Sequence, residues 1–409
     1  MKDEDKIMRY EYYIRNELIH DSNGIKKQLL IFNCLTKQLD VKAITDEEDK
    51  MKILKNYKNY KLYNNTPIFN SYSAPFKIFI DIISNCNLSC KHCLNGYKIE
   101  EHQLELNIFE KIAKYCNDFG VFNIKLGGGE PLLHPQIIDI LDILSSTEVL
   151  LSMTTNGMIH NDEIFTAILK NKVNISVSLD GNQEIHNFIR GNKFAYDNAI
   201  ICLDKMLSKG LKPTIKYVLN DFNNDFNNFL HVVKLGKERK IKVQLKVMKP
   251  IGDCSDKINS INSNIINKFV TLSNNLDNVF LDAEYTDYNN PKLDELTCAG
   301  KRCGAGTRFM HIVYDYIVQP CPFIRRDFYK NLKLIKTHKL NDIWLNDENF
   351  IFMRNLSIPK QCQNCNFYCK SVCYSYRYTY SKDMLGNNPI CANIWTKHNL
   401  KEDKNLMKV

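Results

Sequence analysis

From about residue 76 to about residue 250 the chain repeats one unit six times: a short run rich in β-branched residues, then a longer stretch with apolar residues at helical spacing. The runs are KIFIDII (77–83), NIKLG (123–127), VLLSMT (149–154), NISVSL (174–179), TIKYVL (214–219) and KVQLKVM (242–248). Between them, LNIFEKIAKYCNDFG stops at Gly120, HPQIIDILDIL carries Pro135 near its start, YDNAIICLDKMLSKG ends at Gly210, and NNFLHVVKLGKERK precedes the sixth run. Proline suits the first turn of a helix and glycine its end. Strands joined through helices run parallel, so the expected class is α/β. Six units suit a partial (βα)6 TIM-type barrel; an open doubly wound sheet shares the pattern. Either arrangement puts functional groups at the C-terminal ends of the strands.

Two flanks break the rhythm. Residues 1–75 contain EYYIRNEL and QLLIFNCLTKQLDVKAI, then the helical DEEDKMKILKNYKN, and read as a small N-terminal α+β domain. Residues 76–250 form the core, 251–297 a bridging region, and 298–409 a cysteine-rich module with little hydrophobic core. The 409 residues are 44% hydrophobic, which suffices for two or three cored domains. The net charge of +9 is spread along the chain, and the stripe Arg325, Arg326, Lys330, Lys333, Lys336, Lys339 reads as a solvated face, so no nucleic-acid partner is expected. The charged MKDEDK start is followed by no apolar segment, and no run approaches ~18 apolar residues, so neither signal peptide, membrane span nor membrane partner is expected. Fifteen cysteines in a cytoplasmic chain then read as metal ligands rather than disulfides.

Three of them open the site. SNCNLSCKHCLNG (84–96) follows the first strand directly and spaces Cys86, Cys90 and Cys93 as C-x3-C-x2-C. Three thiolates can hold three irons of a [4Fe–4S] cube and leave the fourth open to a chelating ligand. The same triplet also fits zinc completed by His92 or by a distant ligand. LGGGEP (126–131) follows the second strand. Its glycines permit close backbone approach, and Glu130 is an acceptor for a cationic amine. It lacks the Lys-Ser/Thr of a phosphate loop. SVSLDG (176–181) ends the fourth strand and EIHNFIRG follows, while TTNG (154–157) ends the third and MKPIGD follows the sixth.

Together these motifs resemble the radical S-adenosylmethionine (SAM) superfamily, whose three-cysteine loop carries an aromatic-type residue where His92 stands. The resemblance implies that SAM chelates the open iron, that Gly128, Gly129 and Glu130 meet its methionyl ammonium, that Ser178 contacts its ribose or carboxylate, and that Arg190 pairs with the carboxylate. Asp180 and His186 are read as organisers of the loop, and lone histidines such as His231 and His311 as surface or core residues.

Eight further cysteines make two sets of four: Cys298-x4-Cys303, Cys321, Cys362-x2-Cys365-x3-Cys369-x3-Cys373, and Cys391. Zinc ribbons share such pairs. The pattern resembles the SPASM extension of radical SAM enzymes, which implies two auxiliary [4Fe–4S] clusters and three in all. Carried over by position, one takes Cys298, Cys303, Cys321 and Cys373, the other Cys362, Cys365, Cys369 and Cys391. The family usually has five residues where only three separate Cys365 from Cys369, so the local loop departs from it. Of the remaining four, Cys116 and Cys202 lie in helix patterns as small hydrophobes, Cys34 lies in the N-terminal flank, and Cys254 is loop-borne and a candidate extra thiol.

The resemblance implies hydrogen abstraction from a peptide or small protein substrate, fed by an electron donor such as flavodoxin or ferredoxin, and names no acid or base. Thioether or other crosslinking of a ribosomally made peptide is the expected outcome. The alternatives are a sulfatase-type or other side-chain oxidase and a non-catalytic iron–sulfur carrier or zinc-bound peptide-binding module. Sulfatase maturases resemble this chain but carry an aspartate where Pro322 stands. The N-terminal flank resembles a shortened leader-peptide recognition domain, which would add the peptide as an extra strand; a structural cap on the barrel is the other reading.

Overall fold

Ile78, Ile80 and Ile82 alternate with Lys77, Phe79 and Asp81 along the first of the six runs, and only the isoleucines are wholly buried. That two-residue period turns one face of the strand towards the helices and the other towards the barrel interior. The computed structural model describes residues 11–21, 24–36, 39–68, 71–94, 101–147, 149–248, 263–281, 303–324, 326–357, 359 and 373–386. Among them β1 (Tyr12–Asp21), β2 (Gly24–Asn33), β3 (Leu39–Ile44), α1 (Glu47–Leu54) and β4 (Tyr60–Tyr63) form the N-terminal part. The core follows as β5 (Lys77–Ile83), α2 (Leu106–Phe119), β6 (Asn123–Gly128), α3 (Ile137–Ser145), β7 (Leu150–Thr155), α4 (Asp162–Lys170), β8 (Asn174–Ser178), α5 (Gln183–Arg190), α6 (Ala195–Ser208), β9 (Thr214–Leu219), α7 (Phe226–Glu238) and β10 (Val243–Val247). Next come α8 (Ser263–Asn274), β11 (Val279–Leu281), β12 (Phe309–Ile312), β13 (Ile317–Gln319), β14 (Lys333–Leu334), α9 (Leu340–Asn346), α10 (Glu348–Asn355) and α11 (Tyr374–Ser381).

The fold is α/β. Strands β5 to β10 lie in sequence order and pair in parallel, as the alternating pattern requires. β11 extends this sheet beyond β10, and β12 joins it in parallel beside β5. β13 and β14 then continue antiparallel. The described strands leave β11 and β14 as edges, so this sheet is an unclosed ten-stranded one. The C-terminal region shares the barrel's core: Met310, Ile312, Val318, Ile343, Trp344 and Phe350 belong to the same buried cluster as the barrel isoleucines. The reason is apolar area, since a wholly buried tryptophan or phenylalanine favours the nearest large core.

The N-terminal strands form a separate sheet in the order β3-β2-β1-β4. A buried ion pair fixes it to the barrel. Arg15 lies 2.5 Å from Glu17, and its guanidinium donates to the carbonyls of Pro75 (3.2 Å) and Gly120 (3.0 Å). Glu17 in turn accepts from the Ser73 backbone N–H and hydroxyl.

Candidate functional site

The three-cysteine loop leaves the C-terminal end of β5, and three other elements are stitched to it. Gly129 N–H donates to the Ile83 carbonyl (2.7 Å) and Glu130 N–H to the Asn85 carbonyl (2.9 Å), bringing the loop after β6 onto the cysteine loop. Only glycine tolerates this approach: a Cβ at Gly128, where φ is +117°, would lie 2.3 Å from the Ile83 oxygen, and one at Gly129 2.0 Å from the Asn85 oxygen. Further along the loop, Lys91 N–H donates to the carbonyl of Ile189 in α5. Asn182 caps that helix, accepting from Ile185 N–H, which starts it directly after the β8 loop and carries Arg190 back to the cysteines.

Two side chains reach the thiols. Asn156, from the loop after β7, points its amide N–H at the Cys86 sulfur (3.8 Å) and donates to the Asn87 side chain (2.7 Å). Arg190 points Nη1 at the Cys90 sulfur (3.8 Å). Each is held by a buried carboxylate. Glu130 Oε2 accepts from the Asn156 backbone N–H (2.7 Å) while Oε1 accepts from Leu132 N–H (3.1 Å). Asp180 Oδ2 takes Arg190 Nε (2.8 Å) and Nη2 (2.7 Å), and Oδ1 takes Val218 N–H.

Electrostatics follow from burial. Burial pushes the Glu130 carboxyl up to about 7, against the lowering by its backbone donors. Asp180 is equally buried, and desolvation is the largest single effect on it, raising it; the Arg190 guanidinium, with the smaller contributions of its other neighbours and the Val218 N–H, together outweigh desolvation and hold it below the ordinary carboxylate range. Burial lowers His92 to about 4 and His186 to about 3, so both rings are neutral. His186 Nδ1 accepts from the Asp180 backbone N–H (3.0 Å), and His92 Nε2 lies 4.0 Å from Asp180 Oδ2. Burial raises the Cys86 thiol to about 11. Ser178 is buried at the end of β8, in register with Lys216 of β9.

The structure therefore brings Cys86, Cys90, Cys93, His92, Gly128, Gly129, Glu130 and Arg190 to one end of the sheet. It also adds Asn156, to which the sequence assigned no role and for which the TTNG loop was the available hint, and gives Asp180, read from the sequence as an organiser of its loop, the defined partner Arg190. His311 is a core histidine with a defined environment. Its Nε2 meets Asp81 Oδ2 (2.9 Å), and its Nδ1 accepts from Gln319, whose amide also donates to the Cys321 carbonyl. A carbonyl accepts only, so this second bond fixes the Gln319 amide and hence the His311 tautomer, with Nε2–H on Asp81.

In the C-terminal region Cys303, Cys321, Ile324, Tyr329, Met353 and Tyr374 form one small buried cluster. Cys373 neighbours Cys303: burial first, and then this second thiol, push Cys303 up to about 11. Cys303 thus lies beside Cys373 and shares a buried cluster with Cys321, the three being members of one expected four-cysteine set. Cys298, Cys362, Cys365, Cys369 and Cys391 lie outside the described residues, as does Cys254. None of the nine described cysteines forms a disulfide. Cys34, Cys116 and Cys202 are buried.

Among the described residues no three His, Cys, Asp or Glu side chains are gathered tightly enough to hold a metal ion as they stand. The fit to an iron–sulfur cluster rests on donor chemistry: three soft thiols on one short loop, with two side-chain N–H groups directed at their sulfurs. Among the described residues no helix is long and apolar enough to cross a membrane.

Residues 80–235 match the family model described as Radical SAM superfamily, a span that contains all the motifs just described from Cys86 to Arg190. The mycofactocin maturase MftC of Mycolicibacterium smegmatis is 22% identical over 340 residues, covering 81% of this chain and 86% of that protein. In fold, the chain is similar to Streptococcus suis SuiB bound to precursor peptide SuiA, with TM-score 0.71, 16% identity, and coverage of 91% of this chain and 97% of that one. It is also similar to anSMEcpe with bound AdoMet, with TM-score 0.65, 19% identity, and coverage of 82% and 98%.

Proposed function

We propose that this chain, an enzyme whose residues 80–235 form a Radical SAM superfamily domain, modifies a ribosomally made peptide, abstracting hydrogen from it and closing a thioether or other crosslink. The observation that carries the reading is convergence. Loops after β5, β6 and β7 and the end of α5 meet at Cys86 and Cys90 through the backbone bonds of Gly129 and Glu130 and the side chains of Asn156 and Arg190. Cys86, Cys90 and Cys93 would hold a [4Fe–4S] cluster, with His92, Gly128, Gly129, Glu130, Ser178 and Arg190 around the SAM it binds. When bound, the cluster supplies the electron that splits SAM to methionine and the radical that takes hydrogen from the substrate.

The chain's own residues supply positioning and a dry site. The backbone clasp between Gly129, Glu130 and the cysteine loop fixes where the ligand lies. The buried Asp180 and the neutral His92 and His186 exclude water behind it. Cys303, Cys321 and Cys373 with Cys298 would hold one auxiliary cluster, and Cys362, Cys365, Cys369 and Cys391 the second, making three. Residues 1–75 would recognise a leader peptide; β3 pairs only with β2 among the described strands, and its second edge could accept a further strand. Residues 76–250 would be the catalytic core, 251–297 the bridge and 298–409 the auxiliary-cluster region, acting in a reducing cytoplasm with a flavodoxin or ferredoxin as donor. The peptide substrate draws support from the maturase relative and from the precursor peptide bound by SuiB. Pro322, following Cys321, speaks against sulfatase-type oxidation.

The test is anaerobic reconstitution, reduction with dithionite, and measurement of 5′-deoxyadenosine. Co-expression with a short peptide encoded beside this gene should change the peptide's mass by the loss of two hydrogens. A reconstituted protein that binds iron yet releases no 5′-deoxyadenosine would refute the reading.

A further inference from the structure

Arg190 is expected to clasp the SAM carboxylate, but its fork is already engaged. Nε and Nη2 both bind Asp180 Oδ2, at 2.8 and 2.7 Å, and Arg190 and Asp180 are both buried. The group left for the loop is Nη1, and it points at the Cys90 sulfur. Asn156 repeats the scheme without a charge. Its backbone N–H is held by Glu130, and its side-chain amide points at the Cys86 sulfur. Two buried carboxylates thus hold two donors on two of the three loop thiols.

We propose that Asp180–Arg190 and Glu130–Asn156 are positioning units that set the electron affinity of the cluster held by Cys86, Cys90 and Cys93. This rests on the iron–sulfur reading of the loop. Reduction by one electron from an external donor places extra negative charge on the cluster and its sulfurs. Hydrogen bonds to those sulfurs, and net charge beside them, are the protein's levers on the potential. A donor or a cation at the sulfur stabilises the reduced form and raises the potential. The negative charge of Asp180 partly cancels that of Arg190. It follows that removing Arg190 and removing Asp180 act in opposite directions, whereas loss of a structural brace would act in one.

The experiment is a redox titration of the reconstituted, iron-replete protein followed by electron paramagnetic resonance, reading the signal that changes when SAM is added. Asp180→Asn/Arg190→Met, which leaves no orphaned charge, is expected to lower the midpoint so that the reduced-to-oxidised ratio at a fixed potential falls about tenfold, which is 59 mV for one electron. Asn156→Ala lowers it by less, in the same direction. Asp180→Asn alone raises it, and Arg190→Lys falls between wild type and the double variant. Unmoved midpoints in iron-replete Asn156→Ala and the double variant overturn the proposal, as does a fall in Asp180→Asn. Wild-type protein without any SAM-responsive signal overturns the radical SAM chemistry itself, and this inference with it.

Discussion

Removing Arg15 tests how the N-terminal sheet is fastened to the barrel. Arg15 and Glu17 are 0% and 1% exposed and lie 2.5 Å apart. Their gross attraction at an effective dielectric of 20 is ~7 kcal/mol, most of it offset by the desolvation of both groups. Arg15→Met strands Glu17, whose pKa burial already raises while Arg15 opposes the rise. The stranded carboxyl escapes by taking up a proton. From its ordinary value of 4.5, this costs about 1.36 × (7 − 4.5), or about 3.4 kcal/mol at pH 7. The carbonyls of Pro75 and Gly120 lose a donor as well, so the expected total is about 4 kcal/mol. With an m-value of roughly 3 kcal/mol/M, the urea midpoint of the reduced protein, read by circular dichroism at 222 nm, falls by about 1 M. The sign with pH is defined. A raised folded pKa contributes stability below the unfolded pKa and loses it as pH rises through the folded value. At pH 5 the same proton costs about 1.36 × 0.5, or about 0.7 kcal/mol, so most of the deficit disappears. Adding Glu17→Gln to Arg15→Met restores about 2 kcal/mol at pH 7, because a neutral amide can keep accepting from Ser73. A pH-independent loss, or one below about 1 kcal/mol, would refute the reasoning.

Three other outcomes are expected. Glu130 has a folded pKa raised to about 7 by burial, so raising the pH from 6 to 8 lowers stability through this group by about 1 kcal/mol, and the dependence is lost in Glu130→Gln when both are unfolded in urea across that range. Gly129→Ala places a Cβ 2.0 Å from the Asn85 carbonyl oxygen and forces the two loops apart, so 5′-deoxyadenosine release should fall at least ~100-fold while the far-ultraviolet circular dichroism is unchanged; near-normal release would show that the clasp is dispensable. Cys303→Ser and Cys321→Ser should each reduce the iron content from about 12 to about 8 atoms per chain, leaving the SAM-responsive signal in place; an unchanged iron count would remove these thiols from the auxiliary set.

Much of the site could be read from local pattern because its chemistry is local. Cys86, Cys90 and Cys93 share one loop, the glycines that let it meet its neighbour are adjacent in LGGGEP, and β5 to β10 are each announced by a run of β-branched residues. A parallel arrangement and the end of the sheet that carries function follow from such runs alone, since a helix between two strands leaves no other economical path. What only the tertiary structure decided is pairing across long separations. The engagement of the Arg190 fork by Asp180, the Asn156 amide at the Cys86 sulfur 70 residues away, and the line from Asp81 through His311 to Gln319 are contacts between residues that no sequence period relates. The accretion of β12 beside β5 is of the same kind: sequence showed a cysteine-rich region, but apolar area at Met310, Trp344 and Phe350 placed part of it on the barrel. Periodicity reports which face of an element is buried; which partner buries it depends on the global packing of all the elements, and there the hydrophobic and electrostatic terms outweigh any local preference.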